Sequence, residues 1–160
     1  MHTMSEQSVI HNTFVIERSF NKPPETVFAA FADPAKKRRW FAEGHHHEVE
    51  EFTMDFRVGG SEHFQYRFKQ GTPFSGVALN SQRYYLDIVP NQRIVEAADM
   101  AIGGKRISTS LVTIELLATD KGTDLICTHQ GAFFEGADGP EMREQGWRKL
   151  LDNLGTLLGS

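Results

Sequence analysis

Cysteine is nearly absent from this sequence. The one residue of its type, Cys127, cannot close a disulfide within the chain, so nothing asks for an oxidising compartment. Long apolar runs are missing as well, and none approaches the roughly 20 residues that a membrane-crossing helix needs. The segment from Met1 to Asn12 is polar and lacks the apolar stretch of a secretion signal. It reads as a flexible lead-in over 1–12, ahead of one domain over 13–160, and the expected compartment is the cytoplasm. Basic residues show no excess. Lys and Arg number 17 against 21 Asp and Glu, a net charge of −4 with no basic run. That balance argues against a nucleic-acid partner. Repeats, low-complexity linkers and breaks in composition are also lacking, so one domain is the economical reading.

What the chain has in quantity is phenylalanine, 12 in 160 residues. Phe brings large apolar area without a polar handle. On strands it lines a wide cavity as readily as it fills a core. With 39% hydrophobic and 24% charged residues, the composition is that of a folded globule rather than a disordered chain.

Periodicity gives the order of elements. Phe14, Ile16, Arg18 and Phe20 alternate with Val15, Glu17 and Ser19, which predicts a strand with one mainly apolar face. Pro23-Pro24 ends it, and Pro24 suits the first position of a helix whose inner side carries Val27, Phe28 and Phe31. Asp33-Pro34 starts a second short helix, capped by Asp33 and running to Trp40-Phe41. From Glu48 the pattern is β, turned at Gly59-Gly60, Pro90-Asn91, Gly103-Gly104 and Lys121-Gly122. Glu62, Phe64, Tyr66 and Phe68 share one face of a strand, and Tyr84, Leu86 and Ile88 one face of the next. Trp147, Leu150, Leu151, Leu154, Leu157 and Leu158 then recur at helical spacing, with Arg143, Arg148, Lys149, Asp152 and Asn153 opposite. The expectation is α+β: a curved antiparallel sheet of six to seven strands around a long C-terminal helix. One helix cannot cover so wide a sheet, which leaves an apolar space at one end.

Four stretches carry a family resemblance. They are Glu17-Arg18-Ser19-Phe20 with Pro23 to Phe28; Asp33-Pro34 with Arg39-Trp40; Asp55 to Gly60; and Gly146-Trp147 with the leucines that follow. In this order they resemble the helix-grip superfamily of START domains, birch-pollen-allergen-like proteins and polyketide cyclases. Within it, the chain is similar to the C-terminal domain of activators of heat-shock protein 90 ATPase. The resemblance implies a helix-grip fold and an internal cavity. It implies nothing firm about chemistry, because members include binders, catalysts and co-chaperone-like modules.

The residues nominated for the cavity are Arg18, Phe28, Trp40, Phe41, Phe64, Tyr66, Tyr84, Trp147, Leu151 and Leu154. Arg18 sits on an apolar strand face, either in a structural ion pair or as an anchor for a guest carboxylate or carbonyl. The aromatics either pack the core or stack on a guest. His45 and His47 project to one side of an extended segment and could share a zinc or nickel ion, with His63 or Glu48 as third ligand. No matched ligand set stands at a known spacing, so the run reads as a solvated loop and no metal or cofactor is assigned. Cys127 and His129 share a strand face, but their Cβ atoms stand roughly 6–7 Å apart, too far for a nucleophile pair. Glu135, Asp138 and Glu141 read as solvated caps, with no second buried carboxylate in sight.

Three functions follow in order. The first is binding of a small, largely apolar molecule, lipid-like, aromatic or polyketide-like, in the space between sheet and helix. The second is a cyclase or aromatase acting there, with Arg18, Tyr66, Tyr84 and His129 as nominees. The third is an interaction module that stimulates a chaperone ATPase. Expected partners are a small molecule and, at most, a second copy of the chain, with no nucleic acid and no membrane insertion.

Overall fold

The computed structural model describes residues 8–159. Seven antiparallel strands form one curved sheet: β1 (Ile10–Phe20), β2 (His47–Met54), β3 (Ser61–Phe68), β4 (Ala78–Val89), β5 (Arg93–Ile102), β6 (Lys105–Thr119) and β7 (Gly122–Phe133). Three helices accompany them, α1 (Pro24–Ala32), α2 (Pro34–Lys37) and α3 (Pro140–Leu158). The spatial order is β1-β7-β6-β5-β4-β3-β2. The first two strands therefore lie at opposite edges, and the chain between them must cross one face of the sheet. α1 and α2 make that crossing. β1 starts at Ile10, paired with Phe133, so Ile10 to Asn12 belong to the sheet and not to a lead-in. Met1 to Gln7 lie outside the described residues. No helix among the described residues is long and apolar enough to cross a membrane.

The helix signals work as their chemistry dictates. Pro24 opens α1, and the Asp33 carboxylate accepts the Ala35 N–H at 2.9 Å to cap α2. α2 stops at Lys37 rather than running on to Trp40. Arg38–Ala42 form a π-helical turn, closed by the Glu43 N–H on the Arg38 carbonyl at 2.9 Å. The wider turn lets three consecutive residues, Trp40, Phe41 and Ala42, face inward beside Lys37, a broader arc than one face of an α-helix buries. Trp40 Nε1–H donates back to the Ala30 carbonyl at 2.8 Å, which ties the turn to α1.

α3 follows its leucine stripe. Trp147, Leu151 and Leu154 are buried in one cluster with Phe14, Ile16, Phe41, Phe64, Val112 and Ile114. Arg143, expected on the solvent side, is buried instead. The second departure is in β4. A bulge between Tyr85 and Asp87 shifts the alternation. Leu79, Ser81, Arg83 and Tyr85 face inward up to that point, and Tyr84 and Leu86 face out, about half exposed. Reading the apolar set as the inner one therefore inverted this strand. A charged Arg83 can occupy an inward position because carboxylates wait for it there.

Candidate functional site

The sheet's inner face carries an aromatic wall and, behind it, a set of buried charges. Phe41 is the hub of the wall. Its ring centroid lies 5.5 Å from Trp40, 6.0 Å from Phe64 and 6.0 Å from Trp147. Phe28 and Tyr66 are partly buried at the periphery of the same cluster. Of the nominated residues, then, Trp40, Phe41, Phe64, Trp147, Leu151 and Leu154 come together, with Phe28 and Tyr66 beside them. Tyr84 does not join them: it stands on the opposite face of the sheet, 48% exposed. Arg18 lies at the edge, its guanidinium 3.5 Å from Asp152 on α3.

The buried charges were not foreseen. Lys37 Nζ donates to Glu62 Oε1 at 2.7 Å, and Tyr85 Oη–H donates to the same oxygen at 2.6 Å. Arg83 Nη1 donates to Glu96 Oε1 at 3.0 Å, and its Nε lies 3.7 Å from Glu62 Oε2. Both cations cover the Phe41 ring, Lys37 at 4.6 Å and Arg83 at 4.9 Å from its centre. Burial alone would raise the Glu62 pKa. Lys37 and Arg83, with the hydrogen bonds from Lys37 and Tyr85, outweigh it and hold the carboxyl below its ordinary range. Burial and the neighbouring Glu62 push the Tyr85 phenol far up, so it remains a donor. One signal in the sequence pointed here. Glu62 shares its strand face with Phe64 and Tyr66, and a lone carboxylate on an apolar face needs buried partners.

Further along the inner face, Arg143 holds Asp138 through two bonds of 2.8 Å and donates to Ser108 Oγ at 2.9 Å. Asp138 is thus half of a largely buried ion pair rather than a solvated cap. Burial, with the Asp138 charge, pushes the nearby Tyr66 phenol up to about 12. His129 stacks on Phe14 with centroids 4.5 Å apart. Burial, then Arg143 and Arg83, drives its pKa down to about 4. Burial and Glu96 push the Cys127 thiol up to about 12. Both groups are therefore neutral at pH 7, and the pair contains no thiolate for nucleophilic chemistry. Five buried polar atoms have no hydrogen-bond partner among the described residues: Glu62 Oε2, Ser81 Oγ, Arg83 Nε, Glu96 Oε2 and His129 Nδ1.

The histidine run splits in two. His47 Nε2–H donates to the Ala42 carbonyl at 2.6 Å, and its ring stacks on Tyr66 at 3.9 Å. Gly44 allows this, because a Cβ there would stand 2.6 Å from the His47 ring. His45 and His46 stay exposed. His63 is engaged elsewhere, between Glu51 Oε1 at 3.0 Å and Asn80 Oδ1 at 3.3 Å. Among the described residues no three His, Cys, Asp or Glu side chains are grouped to hold a metal ion.

The π-helical turn and the histidine run form one side of a groove of about 780 Å³, and the second half of α3 forms the other. Trp40, Phe41, Leu150 and Leu157 supply its apolar walls, and Arg39, His45, His46 and Lys149 stand among the residues that line it. Asn153 spans the two sides, its amide 3.5 Å from the Trp40 carbonyl. A second depression of about 530 Å³ lies on the outer face of the sheet, among Thr13, Ala97, Thr109, Leu111 and Gln130. It is wide open, and its lining holds no Lys, Arg, Phe, Tyr or Trp.

Comparison with known proteins agrees with this architecture. The family described as Activator of Hsp90 ATPase homolog 1-like protein matches residues 21–159. The solved structure of Mll3558 from Rhizobium loti is 46% identical, covers 94% of this chain and 99% of its own, and superposes with a TM-score of 0.83. An uncharacterized protein from Rhizobium leguminosarum is 37% identical over 95% of this chain and 97% of its own, with a TM-score of 0.88. The AHSA1-like protein from Aeromonas hydrophila, at 19% identity, shares the fold with a TM-score of 0.67 over 92% of each chain. Curated proteins return no match.

Proposed function

The chain belongs to the Activator of Hsp90 ATPase homolog 1-like family, and from that premise we propose that it binds a small, largely apolar molecule in the groove between the π-helical turn and α3. The fold commonly binds hydrophobic ligands. The observation that carries the reading is the wall of Trp40, Phe41, Leu150 and Leu157 facing an open space of about 780 Å³. A guest seated there gains by removing apolar surface from water, at roughly 25 cal/mol per Å². Polar side chains, Arg39, Glu43, His45, His46, Lys149 and Asn153 among them, line the rest of the groove and can fix a guest's orientation. The single buried thiol, Cys127, supports the cytoplasm as its setting.

Thermal unfolding in the presence of fatty acids, flavonoids and aromatic acids tests this. A ligand at about 100 times its Kd adds about 2.7 kcal/mol, which raises the midpoint of a domain this size by roughly 5–10 °C. Leu157→Glu places a charge on the apolar wall and should abolish the shift. No shift with any of these compounds, or a shift indifferent to Leu157→Glu, would reject the site.

One observation favours a second reading, a cyclase-type reaction. Glu62, Ser81, Arg83, Glu96 and His129 carry unpartnered polar atoms in the interior, and Phe41 stands between the groove and Arg83. A substrate reaching past Phe41 would meet them. Loss of turnover in Glu96→Gln, with groove binding intact, would be the signature of this reaction.

A further inference from the structure

The arginines of this protein are almost all paired. Of the ten in the sequence, nine lie within 4.0 Å of a carboxylate, buried Arg83 and Arg143 included. Arg39 has no carboxylate partner among the described residues, and it is an exposed residue lining the groove. Lys149, exposed on α3, lines the same groove and likewise has no carboxylate partner among the described residues. His45 and His46 add ring N–H donors. The groove has one carboxylate, Glu43, and Arg38 holds it at 3.3 Å. A chain of net charge −4 thus gathers two uncompensated cations beside an apolar wall. Overall electrostatics would repel an anion, so any attraction for one must be local to this groove.

We propose that the groove takes a small amphipathic anion, a carboxylate or sulfonate on an apolar body. Arg39 and Lys149 receive the acid group, and Leu150 and Leu157 receive the body. Arginine's planar donor fork matches two oxygens of such a group, and lysine adds a point charge with three donors. The proposal rests on the apolar-binding reading above and sharpens it by naming the charge of the guest.

Two dyes with one apolar body separate the two claims. 8-Anilinonaphthalene-1-sulfonate carries the anion, and N-phenyl-1-naphthylamine lacks it. Fluorescence titration of the whole chain should give a Kd at least about tenfold lower for the sulfonate, the scale of a charge-assisted hydrogen bond. Combined Arg39→Gln and Lys149→Gln should weaken the sulfonate about tenfold and move the neutral dye less than about twofold. Lys149→Gln alone should give part of that loss, and both variants should keep the wild-type melting midpoint, since each position is exposed. Equal affinity for the two dyes, or a sulfonate affinity untouched by the double variant, overturns the anion preference and leaves the apolar site standing. If neither dye binds, or if Leu157→Glu leaves both bound, the groove is not the site and both readings fall.

Discussion

His129 makes folding stability sensitive to mildly acidic pH, and the size of the effect follows from its surroundings. The ring is 1% exposed, stacked on Phe14 and close to Arg143 and Arg83. Its pKa falls from 6.5 to about 4 on folding. Between these values the unfolded chain binds a proton that the folded chain refuses, so stability falls as pH falls. The full difference is about 3 kcal/mol, with about 2 kcal/mol already lost at pH 5 relative to neutral pH. Glu62, whose folded pKa is lowered, loses its contribution only as pH drops below its unfolded value of 4.5, so the window from 7.5 to 5 isolates the histidine. Urea unfolding at pH 7.5 and pH 5 measures the loss, and His129→Leu should shrink it by about 2 kcal/mol. If the variant loses as much stability as the wild type over that window, the low pKa assigned to His129 is wrong.

Three further outcomes are expected. Glu62→Gln leaves Lys37 and Arg83 with one buried carboxylate fewer, and urea unfolding at pH 7.5 should show a loss of about 3–5 kcal/mol. Gly122→Ala, at the β6–β7 turn, forces a side chain at φ 148° and drives its Cβ onto the Phe20 carbonyl at the end of β1; thermal unfolding should show a cost of about 1–3 kcal/mol. Cys127, 0% exposed with its thiol pushed up to about 12, should react with a disulfide reagent such as dithionitrobenzoate only after unfolding; stoichiometric labelling of the native protein at pH 8 would contradict its burial.

Much of the fold is legible along the chain, because each element carries its own period. The alternation of Phe14, Ile16 and Phe20 marks β1, and the Trp147 to Leu158 stripe marks α3. Proline and glycine mark their ends for reasons internal to the backbone. Of the groove's walls, Trp40 and Phe41 were legible, because both are large and apolar; Phe64 and Trp147, nominated with them, pack in the core and do not line the groove. The groove's cations were not read as a set, because Arg39 and Lys149 are 110 positions apart in sequence and each resembles any solvated residue.

Local pattern thus determined which segments are strands and helices, that Asp33 caps α2, and that Phe14, Phe31, Trp40, Phe41, Phe64 and Trp147 turn inward. It could do so because neighbours a few residues apart share one backbone geometry. Tertiary structure alone decided that Ser81 and Arg83 point inward while Tyr84 points out, since a one-residue bulge changes which side chains face which layer. It alone decided that Lys37, Glu62, Arg83 and Glu96 bury their charges together. A buried charge is tolerated only with a counter-charge beside it, and these four come from α2, β3, β4 and β5, so no single stretch of sequence contains the set.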